Sequence, residues 1–491
     1  MSDTPRHNSV GDLLVKNIAT LFAGRGMATA LSAVSAIILA RYLGREQLGR
    51  YGAIYAYLAL FAWLGTFGIE PILSREASQH RDRAGSILFT GSVITAVFSF
   101  CTMALLLSLA PHFGYGGSLW PLLLMASIDA LFFTPFRLPG IVFQVDLRQW
   151  YAVSFGLIRQ LLWIAAIILL ALGHAALFWV VLARTLCGFV ETALTLGASW
   201  HIGLMPRPWR FLPGEARKFL IYCSPIAVSA LAINVYHRID QVMLHDMSTD
   251  QILGGYVAAV SLAEIFSLFP VALMDSIFPV LAKSVGDKAT FDRYMQYSFR
   301  SLMVIAFAVC AIAVPLSAPL TKIVFGAKYA ATAPIFAALV WSEVAVFFGV
   351  VMKMGIIARN QQRYLAISTI IGAIINVVLN IFWIPRFGAL GATWATNISY
   401  AAASIFIYFL FRETRPMALL GSRIALPGFL LSLAVAGVLA ISPFNTFVRL
   451  GMGIVLFSTG AWFMGVVGRD EIHRLWRLVG AYLPSPRSDA V

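Results

Sequence analysis

Charged side chains are scarce in this sequence: 12% of its 491 residues are Asp, Glu, Lys or Arg, against about 25% in a soluble domain. With 60% hydrophobic residues and a mean hydropathy of +0.82, the chain has too little polar material to cover a water-facing surface. Cytosolic enzymes and secreted scaffolds are excluded. Cysteine is also sparse: Cys101, Cys187, Cys223 and Cys310 lie in apolar stretches without paired spacing, which argues against a disulfide framework or a metal centre. Acidic residues are outnumbered, 22 against 36 basic, for a net charge of +14. In a soluble protein that excess would suggest a nucleic-acid partner. Here its distribution across the membrane takes precedence, and no nucleic-acid partner is expected. Neither GxxxxGK[ST] nor HExxH occurs, and no polar segment is large enough for an extramembrane catalytic domain. No cofactor, metal or covalent chemistry is expected, and a glycan polymerase or ligase lacks the outer loops it needs.

What the sequence has is a succession of apolar runs. A window of about 20 residues, the length that crosses the hydrocarbon layer, picks out spans near 14–41, 48–72, 84–110, 118–137, 150–173, 176–202, 217–244, 251–281, 294–318, 330–357, 363–385, 389–411, 420–441 and 446–467. The first is longer than the core of a signal peptide and is expected to remain as an anchor. Lys and Arg concentrate on alternate loops, among them Arg75, Arg81 and Arg83, then Arg207, Arg210, Arg217 and Lys218, then Lys283, Lys288 and Arg293. The positive-inside rule then predicts both termini in the cytoplasm. After the last span, residues 471–483 place Ile472, Leu475, Trp476, Val479, Tyr482 and Leu483 on one helical face, predicting a tail on the cytoplasmic leaflet.

The chain also repeats itself. LGRYGAI (Leu48 to Ile54) returns as LGGYVAA (Leu253 to Ala259), a spacing of 205 residues from 48 to 253. YAVS (Tyr151 to Ser154) returns as LAIS (Leu365 to Ser368), and the turn at Gly173 as the one at Gly388. Six spans separate the copies, so both enter the membrane from the same side and should be related by an axis along its normal. The expected fold is an all-α polytopic membrane protein of about fourteen helices, with two parallel six-helix lobes around a central cavity. The expected divisions are 1–210, 211–414, two additional spans in 415–468, and the tail 469–491. Lobes that rock about a cavity have the geometry of a secondary transporter.

Four stretches carry a family resemblance: LARYLG with LGRYG (Leu39 to Gly52), GIEPILSREA (Gly68 to Ala77), RIDQVML with LGGYVAA (Arg238 to Ala259) and GALGATWATN (Gly388 to Asn397). With the span pattern, the chain resembles the Wzx-like polysaccharide and O-antigen flippases of the multidrug/oligosaccharidyl-lipid/polysaccharide exporter superfamily. The resemblance implies movement of an undecaprenyl-diphosphate-linked oligosaccharide across the bacterial cytoplasmic membrane. The partners it implies are that substrate, membrane lipids and the glycan polymerase or export machinery. Two readings compete: a peptidoglycan-precursor flippase, whose fourteen spans the chain matches, and a multidrug or cation antiporter of the same architecture.

A charge at mid-bilayer costs about 2.5–3.5 kcal/mol on insertion scales, so each should face a cavity or a partner. The basic candidates for a diphosphate are Arg25, Arg238, Arg159, Arg184 and Lys353, with Arg25 foremost because it falls near the midplane of the first span. Guanidinium groups suit such an anion, because they replace its lost water with paired hydrogen bonds while keeping their charge. The structural alternatives are internal ion pairs, such as Arg238 with Asp240 or Glu264, or Arg184 with Glu191 two turns along the same helix face. Asp129, Glu264 and Glu343 are the candidates for ion coupling. Glu70 is expected to form a surface pair with Arg75, while Tyr51 and Tyr55 are among several aromatics able to stack on sugars.

Overall fold

The computed structural model describes residues 10–201 and 209–464. Within these, the side chains of 10–23, Arg25, 225–232 and Leu268 lie outside the described residues, as does the tail 471–483. Among the described residues there are helices and turns and no strand. The protein is an all-α, multi-pass membrane protein. The helices are α1 (Val10–Thr66), α2 (Glu70–Gln79), α3 (Ala84–Leu109), α4 (Leu119–Ser127), α5 (Thr134–Arg137), α6 (Ile141–Val145), α7 (Trp150–Leu172), α8 (Leu177–His201) and α9 (Pro213–Met247). They continue with α10 (Asp250–Ala263), α11 (Leu268–Lys283), α12 (Lys288–Ala313), α13 (Ser317–Phe325), α14 (Ala333–Ala358), α15 (Gln362–Phe387), α16 (Ala389–Ala401), α17 (Arg415–Ile441) and α18 (Thr446–Phe463).

Eleven helical segments are long and apolar enough to cross a membrane among the described residues. Among the described residues each run expected from the sequence is largely helical, but the correspondence is not one to one, and 251–281 is broken by a turn between α10 and α11. The first two runs share α1, broken at Gly44, whose φ of 68° only glycine adopts freely. The run 217–244 lies in α9, where the side chains of 225–232 lie outside the described residues. The run 389–411 passes from α16 into a π turn and a 3-10 turn. The burial pattern is that of a protein solvated by lipid: Phe447, Phe463, Leu172 and Ile441 are exposed while Asp129, Asp240 and Glu343 are buried.

The chain forms two compact units. The first comprises residues 1–268, 321–335 and 369–399, so α9, α10, α15 and α16 cluster with the helices of the first repeat. In the second unit α17 packs along α12, with Gly421 facing Phe299 and Phe348, and Gly428 facing Phe307. Small residues let these helices approach closely, the usual basis of helix association in lipid.

The repeated motif is also where the two copies meet. A Cβ on Gly49 would fall on the carbonyl oxygen of Asp250, and one on Gly254 would fall on the carbonyl oxygen of Arg45. Positions 45 and 49 correspond to 250 and 254 in the repeat, so the contact is reciprocal, as across a two-fold axis. Further contacts lie at the same end. Tyr115 packs on His245 with ring centroids 4.5 Å apart, while the Tyr329 hydroxyl donates to the carbonyl of Ala40 at 2.8 Å, and 40 and 245 are equivalent positions. Arg50 donates to Asp250 at 3.0 Å and to Glu46 at 3.0 Å, and Arg41 donates to the carbonyls of Val324 and Ile323. These contacts form a clasp across one end of the first unit.

Candidate functional site

Beneath this clasp lies a cavity of about 410 Å³ within the first unit, lined by α1 (Tyr51, Tyr55), α8 (Arg184), α9 (Arg238, Gln241) and α10 (Ser261). Tyr51 and Tyr55 are one helical turn apart, so both rings face the same way, with centroids 4.6 Å apart. The Arg184 guanidinium sits 4.2 Å from the Tyr55 ring and 5.7 Å from that of Trp163 on α7, and donates to the Tyr51 hydroxyl. A desolvated cation–π contact is worth about 2 kcal/mol. It holds the guanidinium without neutralising it. Among the described residues no carboxylate lies within ion-pair distance of Arg184, and the expected partner Glu191 is engaged elsewhere. The aromatic faces of α1 draw Arg184 to the cavity, while an arginine on the neighbouring helix α7 takes Glu191.

Arg238, the other sequence candidate on this cavity, is paired with Glu264 at 3.6 Å, as one alternative anticipated; both side chains are substantially exposed. Asp240 instead accepts from the Tyr256 hydroxyl and from the backbone N–H of Gln241, deep in a network that continues through Thr396. On α15 and α16, Asn376 donates to Ser399 at 3.1 Å, and Asn380 donates to Asn376 at 2.9 Å. This layer ties the second repeat's opening helices to α15 and α16.

Arg159 and Asp129 belong to a four-charge cluster beside the cavity. Arg159 donates to Asp129 at 2.7 Å and to Glu191 at 3.0 Å. Arg137 donates to the other oxygen of Asp129 at 2.6 Å, to the carbonyl of Gly188 at 3.0 Å and to the hydroxyl of Thr192 at 2.8 Å. Sequence inspection passed over Arg137 because it falls at the end of a run. The eight-residue spacing from Asp129, across a π turn (Ile128–Phe132), brings the two groups together. Gly188 makes the cluster possible, since a Cβ there would strike the Asp129 carboxylate. Gly188→Ala is expected to break the buried ion pairs, at about 3–5 kcal/mol, seen as a lowered midpoint of thermal unfolding in detergent. An unchanged midpoint would refute this account.

Of the remaining candidates, the Arg25 side chain lies outside the described residues. Lys353 and Glu343 belong to the second unit, where Lys353 is exposed and Glu343 buried on α14. Glu70 does not pair with Arg75, which bonds Glu76 at 2.8 Å. Glu70 instead lines a cavity of about 540 Å³ with Thr134, Arg137 and Gln144, because α2 begins at Glu70 and turns Arg75 away along its own exposed face.

A membrane-embedded cavity with a guanidinium between tyrosines, and no carboxylate among the described residues at ion-pair distance from it, is suited to holding an anion. Against known families, a profile described as "Polysaccharide biosynthesis protein" matches residues 14–285. The chain belongs to this family. A second profile, "Lipid II flippase MurJ", matches residues 153–459. Among curated proteins, the probable low-salt glycan biosynthesis flippase Agl15 of Haloferax volcanii is 23% identical over 398 residues, covering 80% of this chain and 82% of the relative. Among solved structures, Lipid II flippase MurJ in an inward closed conformation aligns with a TM-score of 0.73 at 15% identity, covering 90% of this chain and 98% of the other. An inward-facing multidrug resistance MATE family transporter of the MOP superfamily aligns at 0.62 and 16% identity, over 83% and 96%. At these identities the structural likeness establishes the fold. The relatives named here are flippases and transporters, not enzymes.

Proposed function

We propose that this polysaccharide biosynthesis family protein is a lipid-linked glycan flippase, moving an undecaprenyl-diphosphate-linked oligosaccharide outward across the bacterial cytoplasmic membrane by alternating access. The observation that carries the reading is the Arg184 guanidinium, held over tyrosine rings in a membrane cavity with no carboxylate among the described residues at ion-pair distance. A diphosphate would supply the missing counter-charge, and Tyr51 and Tyr55 offer stacking faces to the first sugar. Arg238, Arg25, Arg159 and Lys353 are proposed as further substrate contacts. In this mechanism two six-helix lobes, 1–210 and 211–414, rock against each other, followed by the extra spans and a cytoplasmic tail. With both termini cytoplasmic, the clasp is the outer closure.

No covalent step is needed. An anion leaving an inside-negative cell moves downhill by about 2.3 kcal/mol per charge at 100 mV. Of the coupling candidates, Asp129 is bonded by two guanidinium groups and suits a fixed counter-ion; Glu264 and Glu343 are proposed as carriers of an exchanging cation. The peptidoglycan-precursor reading keeps its place, because the MurJ profile spans most of the second half and the same cavity would hold that diphosphate. A cation antiporter would need acidic groups where Arg184 stands.

Cells lacking the gene test this directly. Mass spectrometry of their lipid extract should show undecaprenyl-diphosphate-linked repeat units accumulating, with loss of surface polymer. Accumulation of peptidoglycan precursor would favour the second reading. Normal glycan lipids with new sensitivity to cationic drugs would overturn both.

A further inference from the structure

We propose that Glu191 takes up a proton when the anion binds: the substrate phosphate replaces Glu191 as the partner of Arg159, and the released carboxylate is protonated through the inner cavity. This rests on the flippase reading of the site and assigns Glu191 a coupling role within it. Two cavities share a side chain, and a third is linked to them through an ion pair. Arg184 lines both the substrate cavity and a neighbouring one of about 240 Å³, whose wall includes Ser35, Gln160, Arg159 and Glu191. Arg137, bonded to the same cluster, lines the cavity of about 540 Å³ that contains Glu70. Positive-inside topology puts that cavity at the cytoplasmic end.

Within the cluster the two carboxylates are not equivalent. Asp129 is buried and accepts a short bond on each oxygen, from Arg137 and Arg159. Glu191 is three times more exposed, 21% against 7% for the side chains, faces a cavity, and among the described residues has a single guanidinium at hydrogen-bond distance, with Arg137 at 3.9 Å. Among the described residues, the charged and titratable groups around it are Arg159 on α7, Arg137 on α5, Asp129 on the π turn, Tyr51 and Tyr55 on α1, and Arg184 and Cys187 on its own helix. Arg159 and Arg184 share a cavity wall, so an anion that engages Arg184 competes with Glu191 for Arg159. A carboxylate that loses its guanidinium partner beside an incoming anion, in a narrow cavity that hydrates it poorly, is more stable protonated than charged. The proton comes from bulk water through the inner cavity and ends on the Glu191 carboxylate; no other bond changes.

The test uses detergent-solubilised full-length protein and farnesyl-diphosphoryl-N-acetylglucosamine, whose diphosphate diester does not titrate near neutral pH. A pH-indicator dye in weak buffer should record close to one proton taken up per ligand bound, and Kd should weaken about tenfold per pH unit once Glu191 is ionised in the free protein. Glu191→Gln should bind without proton uptake and without pH dependence, while Glu191→Asp keeps both. Wild-type binding without proton uptake, or uptake retained by Glu191→Gln, overturns the proposal; the wild-type and Asp measurements decide it if the Gln variant misfolds. Arg184→Ala separates the two ideas. Undiminished binding in that variant defeats the cavity reading itself, whereas lost binding alongside a wild-type pH profile in Glu191→Gln defeats only the proton role.

Discussion

Arg184→Ala is expected to abolish flipping while the protein still reaches the membrane. The side chain has no carboxylate to leave stranded, so its removal costs little in folding beyond the stacking on Tyr55 and Trp163. The transport cost is larger: losing a charge-assisted contact to the diphosphate removes about 3 kcal/mol, or about a hundredfold in affinity. Arg184→Lys should recover only part of this, because an ammonium keeps the charge but lacks the planar fork and stacks poorly. The measurement is complementation of surface polymer in cells lacking the gene, normalised to membrane protein level. Full complementation by Arg184→Ala would remove the observation on which the functional reading stands.

The second large effect is expected at the clasp. Gly49→Ala or Gly254→Ala places a methyl group on a backbone carbonyl of the other repeat, and backbone cannot rotate aside as a side chain can. The helices must part, costing about 1–3 kcal/mol of the closed arrangement, or about 5- to 150-fold in its population. With Gln241→Cys as a reporter on the cavity wall in a cysteine-free background, labelling by an impermeant maleimide added outside should rise accordingly. Gly437→Ala, where no atom lies within 4 Å, is the control expected to change nothing. Equal labelling in all variants would show that this contact does not close the outer end.

Much of this was legible in the order of residues. Apolar runs of bilayer length specify helices because every backbone polar group must be satisfied inside the segment, and among the described residues each run is largely helical. The candidate arginines were legible as a class, since charge within such runs needs a reason. Arg137 was missed, as its place at the end of a run suggested a loop residue. The pairings considered for Glu191 with Arg184 and for Glu70 with Arg75 do not form, for a similar reason: helix-face spacing identifies neighbours on one helix but not the competing partner on the next.

By itself the sequence determined the fold class, the membrane setting and the internal repeat, because these depend on composition and on periodicity along one chain. It also restricted the site to a handful of intramembrane charges. Only the tertiary structure decided that Arg184 faces tyrosines and Arg159 faces carboxylates, since a guanidinium's partner is chosen among groups far apart in the chain by which side chain desolvates beside it. It likewise decided that Gly49 and Gly254, the same position in two copies of one motif, touch each other. A repeat predicts that two surfaces are alike; whether they meet depends on how closely the backbones approach, and here the absence of two Cβ atoms allows it.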